Sequence, residues 1–530
     1  MFNGKSIFIS GGPGSFGRNF IRRLVEQYQP KRLAVCTQDE LKQREVQQTF
    51  NTSGIRYFLA DVRDIERSHQ AVGGGDFVVH AAALKRSTAA QYSLTESESI
   101  LANADSAENF IANASDNSER QVGSLSPDMA ANSAADRIAA RPFVGMIPYG
   151  RQSLDQADID AVVEVLQSDW LTQGPTIERF ERAMAERCQA EFAVAVCNAT
   201  AALHIACVAA GLGPGDRLWT TPNTFLASAN CGRYCGAAVD FVDIDPQTWN
   251  LDAEVLATRL AQAERDGTLP KVLVAVAFSG QSCDMRRIAG LAERYGFTVI
   301  EDASHAVGAS YAGRPVGCGE FAAMTVFSFH PVKIITSAEG GMVLTNRPDL
   351  AERLQRLRSH GMTYDPQQMT ETSHGPWYYQ QVELGFNYRI TDLQAALGLS
   401  QLGKLDEFVS RRRELAGRYD RLLAHLPLSL PGTQADAQSA RHLYVVRLQL
   451  DRIKLSHQQV FEGLRAAGVR VNLHYIPVHL QPYYRQLGFA EGDFPQAERY
   501  YAEAISLPLY PLLSDDQQDY VVEQLRRLTE

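Results

Sequence analysis

Short apolar runs separated by helical patterns recur along almost the whole chain, and this alternation constrains the fold more than any other feature. Four such runs occur near the N-terminus, at residues 6–10, 32–36, 57–60 and 77–80. Runs that are apolar throughout are typical of parallel strands with helices covering both faces of the sheet. The pattern therefore predicts an α/β protein in which ligands bind at the carboxyl ends of the strands.

The composition of the chain changes between residues 113 and 142, and this change divides it. That stretch is rich in Ser, Asn, Ala and Asp and contains no sustained strand pattern, which is typical of a linker. We expect an N-terminal domain at 1–113, a linker or degenerate segment at 114–145, a large α/β domain at 146–395 and a small α+β domain at 396–530. Strand-like runs in the large domain lie at 192–197, 217–220, 239–242, 272–278, 298–301 and 324–328.

The C-terminal part changes character again. Residues 393–423 have one long helical pattern, and strand-like runs at 442–450 and 469–474 precede a closing helix at 515–528. A smaller, mixed domain is the expected result.

The net charge and the length of the apolar runs disfavour binding to nucleic acid and to membranes. The chain has 51 Lys and Arg against 61 Asp and Glu, a formal net charge of −10, which disfavours non-specific binding to nucleic acid or anionic membranes. No apolar run approaches the roughly 18 residues of a membrane span, and the N-terminus lacks the layout of a signal peptide.

The cysteine content, eight residues, suits a reducing cytoplasm. Cys231 and Cys235 lack a second ligand pair at zinc spacing, so no metal site is predicted.

A glycine-rich turn follows the first predicted strand. Gly11, Gly14 and Gly17 would allow a pyrophosphate to approach the N-terminus of the next helix. Asp61 follows the third strand, where an acidic side chain often meets the adenine or ribose; a turn-capping role explains it equally well. These residues are the candidate NAD(P) site, and we interpret it as vestigial.

The stretches 10–17, 38–43, 61–64 and 80–85 resemble the nucleotide-sugar 4,6-dehydratases of the extended short-chain dehydrogenase family, and they are most similar to the inverting enzymes. The family's Thr-Asp-Lys stretch is reduced here to Ser126-Pro127-Asp128-Met129, and no Tyr-x-x-x-Lys pair follows. A dehydratase needs its base, hydride acceptor and sugar pocket in one place. The N-terminal domain is therefore predicted to be a truncated Rossmann-like domain without dehydratase activity.

A second set of residues, between 198 and 392, has the groups that pyridoxal phosphate requires. Lys333 follows an apolar strand and is a candidate to bind the cofactor covalently. Asp302 ends another strand, where its carboxylate would keep a pyridine nitrogen protonated. Ala199 and Thr200 lie at a strand-to-helix junction that suits a phosphate, and Phe225 is a candidate to stack on the ring.

This set resembles the DegT/DnrJ/EryC1/StrS family of sugar aminotransferases, which have the fold type I architecture, from about Met146 to the C-terminus. The resemblance implies that Lys333 and Asp302 are catalytic and that Thr200 and Ser328 bind the phosphate. It also places Gln281 near the cofactor and lets Asn387 reach the phosphate of a neighbouring subunit, which implies a homodimer. His474 and Tyr475 lie where the family approaches its sugar nucleotide.

Within the family, the stretches 171–174, 328–341, 358–362 and 473–477 are most similar to the branch that serves pseudaminic acid synthesis. The resemblance implies transfer of an amino group, with glutamate as donor, to the 4-keto group of a UDP-linked 6-deoxy-N-acetylhexosamine. Two alternatives stay open: a bifunctional dehydratase–aminotransferase, and a non-catalytic regulator that binds pyridoxal phosphate or NAD.

Overall fold

The chain forms two compact units, Met1–Asp136 and Arg137–Glu530. The computed structural model describes residues 146–530 without a break; nearer the N-terminus it describes four strands with Ile21 and Lys31. The candidate NAD(P) residues Gly11, Gly14, Gly17 and Asp61 lie outside the described residues.

The four N-terminal strands form one parallel sheet in the order β3-β2-β1-β4. Neighbouring strands on both sides of β1 are characteristic of a doubly wound sheet, as the alternation of apolar runs predicts. The strands are β1 (Ser6–Ser10), β2 (Arg32–Thr37), β3 (Ile55–Leu59) and β4 (Phe77–His80).

The second unit is built on a seven-stranded sheet in the order β5-β11-β10-β9-β8-β6-β7. Strand β11 is antiparallel to both of its neighbours, and the other described pairs are parallel. The strands are β5 (Phe192–Val196), β6 (Arg217–Thr220), β7 (Ala238–Phe241), β8 (Val272–Val276), β9 (Thr298–Asp302), β10 (Met324–Ser328) and β11 (Gly341–Thr345).

Both faces of this sheet are buried, which explains its continuous apolar runs. In β8, Val272, Val274 and Val276 face one hydrophobic cluster, whereas Leu273 and Ala275 face another. Alternate side chains of a strand point to opposite faces, so helices must cover the sheet on each side. The helices of the unit up to residue 402 are α1 (Gln156–Leu166), α2 (Pro175–Cys188), α3 (Ala199–Ala209), α4 (Ala227–Tyr234), α5 (Ala253–Asp266), α6 (Met285–Tyr295), α7 (Pro348–Leu357) and α8 (Asp392–Leu402).

The C-terminal residues form a smaller layer with its own core. An antiparallel sheet in the order β12-β13-β14 packs with helices around Tyr419, Val446 and Leu525, all fully buried. The elements are α9 (Leu405–Leu423), β12 (Leu428–Ser429), β13 (Tyr444–Leu448), α10 (His457–Ala466), α11 (Pro482–Arg485), α12 (Pro495–Glu503), β14 (Ala504–Leu507) and α13 (Asp515–Thr529).

Short strands and 3₁₀ turns complete the unit. Two-residue strands lie at Ile147–Pro148, Ser310–Tyr311, Arg314–Pro315, Met362–Thr363, Gln380–Gln381, Ala437–Gln438 and Val469–Arg470. The 3₁₀ turns are Phe278–Gly280, Pro366–Gln368 and Val478–Leu480. Within the described ranges, no helix combines the length and apolar character needed to cross a bilayer, and no three His, Cys, Asp or Glu side chains are grouped to hold a metal ion.

The structure differs from the sequence prediction in three places, and the smallest is the run at 469–474, of which only Val469–Arg470 forms a two-residue strand. Strand β11 is absent from the predicted runs, yet it closes the sheet between β10 and β5. The long helical pattern at 393–423 is two helices, α8 and α9, separated at Gly403 and Lys404. The Lys404 ammonium forms ion pairs with Asp155 and Asp158 near α1, and this contact accompanies the change of direction.

The packing of α8 against α2 gives a test of the fold. A Cβ at Gly398 in α8 would lie 2.7 Å from Cζ of the fully buried Phe180, whereas a Cβ at Gly290 in α6 would meet nothing within 4 Å. We expect Gly398→Ala to lower the free energy of unfolding by about 1–3 kcal/mol through overpacking. Gly290→Ala should raise it by up to about 1 kcal/mol because alanine favours the helix. Urea unfolding of both variants measures this; shifts of the same sign would contradict the packing.

Candidate active site

The carboxyl ends of β5, β9 and β10 meet at one edge of the large sheet and surround a cavity of about 880 Å³. Asp302 and Ser328 are the last residues of β9 and β10, and α3 begins just after β5. Ligands bind at this edge in open α/β sheets. The cavity wall brings together most of the residues singled out in the sequence: Ala199, Thr200, Phe225, Asp302, Ser328, Lys333, His474 and Tyr475.

One end of the cavity is equipped to hold an anion. The Asn198 side chain caps α3 by accepting a hydrogen bond from the Ala201 N–H, 2.9 Å away. The remaining first-turn N–H groups of a helix have no acceptor within it, and they carry partial positive charge. The hydroxyls of Thr200 and Ser328 have no hydrogen-bond partner in the described part of the chain, and both residues line this end. These donors suit a phosphate group.

Glycine brings the segment that carries Lys333 against this helix. A Cβ at Gly341 would lie 2.6 Å from the Ala199 nitrogen and from the Asn198 carbonyl carbon. Any larger residue at Gly341 would push β11 away from the start of α3. The glycine is therefore required for the close approach of two backbone segments.

Asp302 is held in place by hydroxyls that do not come from its own strand. The Ser228 hydroxyl donates to Asp302 Oδ2 at 2.6 Å, and the Ser304 hydroxyl donates to Oδ1 at 2.6 Å. Thr224 lies 2.8 Å from Ser228; because the Ser228 proton is already used, Thr224 is the donor in that pair. Hydrogen bonds from both sides fix the carboxylate where it borders the cavity.

Lys333 borders the cavity with its amine free of any ion pair in the described residues. The surrounding protein removes water from the ammonium, and this burial lowers the pKa of Lys333 to about 8, although the charge of Asp302 acts in the opposite direction. A substantial fraction of the side chain is therefore neutral near pH 8, in the form that can attack a carbonyl or accept a proton.

Three histidines near Lys333 remain neutral. Burial, reinforced by the positive charge of Lys333, lowers the pKa of His305 well below its usual range and that of His474 to about 3. Burial and the neighbouring His305 likewise lower the pKa of His442. The imidazoles therefore act near neutral pH as hydrogen-bonding groups and not as cations.

The tautomer of His305 determines what Tyr475 can do. The Ser279 N–H donates to His305 Nδ1 at 3.2 Å, so the proton of this neutral ring is on Nε2. Nε2 lies 3.2 Å from the Tyr475 hydroxyl oxygen, which accepts that proton and keeps its own free. Burial raises the pKa of Tyr475, so its hydroxyl remains a donor at the cavity wall.

Two residues from the sequence prediction lie outside the cavity wall. The side chain of Gln281 donates to the Gly432 carbonyl at 3.3 Å and accepts from the Gln434 N–H at 3.2 Å, so it fastens a loop. Asn387 is exposed, and its backbone forms a bridge with Ser359. The places near the cofactor that the resemblance implies for Gln281 and Asn387 stay predictions.

Sequence reasoning missed the hydroxyls that hold Asp302 and the histidine that orients Tyr475. Ser304 and His305 follow Asp302 directly, and an Asp-x-Ser spacing is a recognisable turn signal. Ser228 comes from α4, 74 positions earlier, and only the order of strands in the sheet brings it to Asp302. No local pattern could have indicated it.

The residues at the cavity fit pyridoxal phosphate. The helix N-terminus and two free hydroxyls suit its phosphate, the unpaired amine of Lys333 suits its aldehyde, and the fixed carboxylate of Asp302 suits its pyridine nitrogen. Phe225 supplies an aromatic face, since 57% of its surface is exposed where it borders the cavity.

Comparison with protein families and with known sequences points to the same chemistry. Residues 152–526 match the DegT/DnrJ/EryC1/StrS aminotransferase family, and residues 7–140 match a family described as polysaccharide biosynthesis protein. The spore coat polysaccharide biosynthesis protein SpsC of Bacillus subtilis is 40% identical over 383 residues, which cover 72% of this chain and 96% of SpsC.

Solved structures extend the comparison to the fold. PseC of Helicobacter pylori, an aminotransferase of pseudaminic acid biosynthesis, has a TM-score of 0.66 and 30% identity, covering 72% of this chain and 99% of PseC. Spr1654 of Streptococcus pneumoniae, solved in PMP and PLP forms, has TM-scores of 0.65 and 0.64 at 29% identity, covering 72% of this chain and at least 98% of its own. The chain belongs to the DegT/DnrJ/EryC1/StrS family, and it is a fold type I sugar aminotransferase that uses pyridoxal phosphate.

Proposed function

We propose that the enzyme transfers an amino group, with glutamate as donor, to the 4-keto carbon of a UDP-linked 4-keto-6-deoxy-N-acetylhexosamine in a pathway of the pseudaminic acid type. The observation that carries the proposal is the convergence of Lys333, Asp302 and two unpaired hydroxyls on one cavity. Its volume of about 880 Å³ is near the upper end of typical ligand sites, so it has room for a sugar beside the cofactor. The similarity to PseC supports the choice of substrate.

Lys333 and Asp302 have distinct parts in this proposal. When bound, pyridoxal phosphate supplies an electron sink that makes the carbon next to the transferred nitrogen acidic. The Lys333 amine, neutral in part because burial lowers its pKa to about 8, would accept that proton and return it to the carbon on the other side of the nitrogen. Asp302 would hold the pyridine nitrogen in its protonated form, and the Ser228 and Ser304 hydroxyls keep the carboxylate in place.

On the sugar side, Tyr475 is the residue we assign to the substrate. Its hydroxyl proton is free to donate into the cavity because His305 satisfies the oxygen as an acceptor. Both ring nitrogens of His474 already have partners, Ser506 at 2.8 Å and Asn472 at 3.3 Å. His474 therefore supports the wall, whereas the free hydroxyl proton of Tyr475 supports its assignment to a sugar oxygen.

Product analysis tests this assignment. The purified full chain is supplied with glutamate and, separately, with each of the two C5-epimeric UDP-4-keto-6-deoxy-N-acetylhexosamines, and the amino sugar is identified by mass and NMR. We expect a 4-amino product from the L-configured epimer and none with Lys333→Ala. Conversion of only the other epimer would refute the pseudaminic-type substrate but not the aminotransferase chemistry.

A parallel incubation with UDP-N-acetylglucosamine tests the bifunctional alternative, which a 4-keto product would favour.

We further propose that two copies of the chain complete each active site. Large apolar side chains remain exposed on the second unit, among them Trp377 at 73% and Leu384 at 79%. Asn387 is also exposed, three positions from Leu384, and in the family such an asparagine reaches the phosphate in the neighbouring subunit. Burial of these apolar side chains in a symmetric dimer would explain their exposure in a single copy.

Subunit complementation tests the shared site. Lys333→Ala lacks the amine, and Asn387→Asp would place a negative charge near the partner's phosphate, so each variant alone should be nearly inactive. In a mixed dimer, one site combines the intact Lys333 of one chain with the intact Asn387 of the other. Random reassortment should then restore activity at about one quarter of all sites. Absence of recovery after confirmed subunit exchange would rule out the shared site.

The lowered pKa of Lys333 gives a pH prediction. In cofactor-free protein, the rate at which added pyridoxal phosphate attaches covalently should rise with pH to a plateau, with a midpoint near 8. An ordinary lysine would give about 10.4. Because the charge of Asp302 raises the pKa of Lys333, Asp302→Asn should move the midpoint lower, whereas the exposed Asp436→Asn should not. Absorbance at the cofactor band follows the reaction; a midpoint near that of free lysine would contradict the role of burial.

A further inference from the structure

Two buried hydroxyls, those of Thr224 and Ser228, form a short chain of hydrogen bonds that ends on Asp302. The Ser228 hydroxyl donates to Asp302 Oδ2 at 2.6 Å and lies 2.8 Å from the Thr224 hydroxyl. Thr224 has 2% of its surface exposed, and Ser228 has none. Because an ionised carboxylate has no proton to give, the order of donation is fixed as Thr224 to Ser228 to Asp302.

Hydroxyls near the start of a helix ordinarily cap the helix or bond back to one of its carbonyls. Helix α4 begins without a side-chain cap, and the hydrogen bond from the Ser228 hydroxyl leads away from the helix to the end of β9. The backbone N–H of Ser228 is satisfied separately by the Phe225 carbonyl at 3.2 Å. The two hydroxyls are therefore directed at Asp302 and do not serve the helix terminus.

The carboxylate of Asp302 has one acceptor position left. Each of its oxygens has two lone pairs. Oδ1 accepts from the Ser304 hydroxyl at 2.6 Å and from the Ser304 N–H at 3.1 Å, so both of its lone pairs are used. Oδ2 accepts from Ser228 alone among the described residues. A donor that enters the cavity therefore meets Oδ2, the oxygen that Ser228 holds.

We propose that Ser228 and Thr224 are positioning residues that keep the proton shared by Asp302 and the cofactor on the pyridine nitrogen. The proposal rests on the role of Asp302 in the proposed function. The proton can stay on nitrogen, which leaves a pyridinium beside a carboxylate, or move to oxygen, which leaves both groups neutral. Each hydrogen bond that the carboxylate accepts stabilises mainly the first arrangement. The positive charge of the ring, and with it the capacity of the cofactor to withdraw electrons, then depends on the two hydroxyls.

The segment that carries Thr224 is anchored away from the cavity. The Val478 N–H, from the smaller C-terminal layer, donates to the Pro222 carbonyl at 2.9 Å. Phe225 follows Thr224 and borders the cavity with it. The residue assigned to the face of the ring and the hydroxyl that begins the chain of hydrogen bonds are thus placed by the same loop. A ligand that seats against Phe225 meets a carboxylate whose hydrogen bonds are already formed.

Nitrogen NMR of the loaded enzyme tests where the proton lies. The full chain is loaded with pyridoxal phosphate that carries ¹⁵N in its ring, and the pyridine resonance is recorded at neutral pH without substrate. We expect the wild-type resonance at the protonated position. In Ser228→Ala the ratio of the two arrangements should change by about tenfold or more, the scale of one hydrogen bond to a charged group. The resonance should then move towards the unprotonated position.

Variants of Thr224 separate the hydroxyl from the packing around it. Thr224→Val keeps the shape of the side chain and removes its proton, so it should shift the resonance in the same direction, whereas Thr224→Ser should not. Thr220→Val is the matched control, since Thr220 is fully buried and its hydroxyl donates to the Val274 carbonyl at 2.9 Å. A wild-type resonance in either Ser228→Ala or Thr224→Val, or an equal shift in Thr220→Val, would overturn the proposal.

The absorbance of the cofactor gives a second reading. A positive charge on the ring makes the nitrogen that joins the cofactor to Lys333 a weaker base, so the pH midpoint of the cofactor band should rise in Ser228→Ala and not in Thr220→Val. Asp302→Asn separates this inference from the role of Asp302 itself. If Asp302→Asn moves the ¹⁵N resonance and Ser228→Ala does not, only the part given to the two hydroxyls is wrong. If neither variant moves it, the role of Asp302 is wrong as well.

Discussion

The active site depends on one close contact between backbones, where β11 begins beside the first turn of α3. Gly341 lies so near Ala199 that a single methyl group would force the segments apart. This contact sets the phosphate-binding end of the cavity next to Ser328, since Ser328 pairs with Gly341 across the two strands. Lys333 lies in the connection between those strands. The anion-binding helix and the reactive amine are thus positioned by the same pair of strands.

The electrostatics of the cavity follow from this arrangement. The carboxylate of Asp302 and the amine of Lys333 both border the cavity, and three neutral imidazoles lie around them. Because these rings carry no charge, they do not compete with Lys333 for Asp302 or for an anionic ligand. Burial lowers the pKa of Lys333 towards neutrality, and the neighbouring carboxylate limits the shift. A lysine that must both bind a carbonyl and move a proton benefits from that balance.

Much of this architecture could be predicted from sequence because it depends on local pattern. The strand ends at Asp302 and Ser328, and the position of Lys333 after β10, follow from apolar runs and their flanking residues. Strand β11 was not predicted because its apolar residues begin within a pair of glycines. Its antiparallel pairing also depends on strands that are distant in sequence. The break between α8 and α9 was not predicted because it is accompanied by ion pairs between Lys404 and carboxylates some 250 positions earlier in the chain.

The contacts that hold the chemical groups were the least predictable, because they join elements that are far apart in sequence. Helix α4 illustrates this: its first turn carries Ser228, which fixes Asp302 from 74 positions earlier in the chain. The helix has only eight residues, about 12 Å in length, and so short a helix moves more readily as a unit than it bends. A displacement of α4 is therefore expected to move Ser228 and with it the hydrogen bond that fixes Asp302, so a helix distant in sequence from Lys333 contributes to the geometry of the cofactor site.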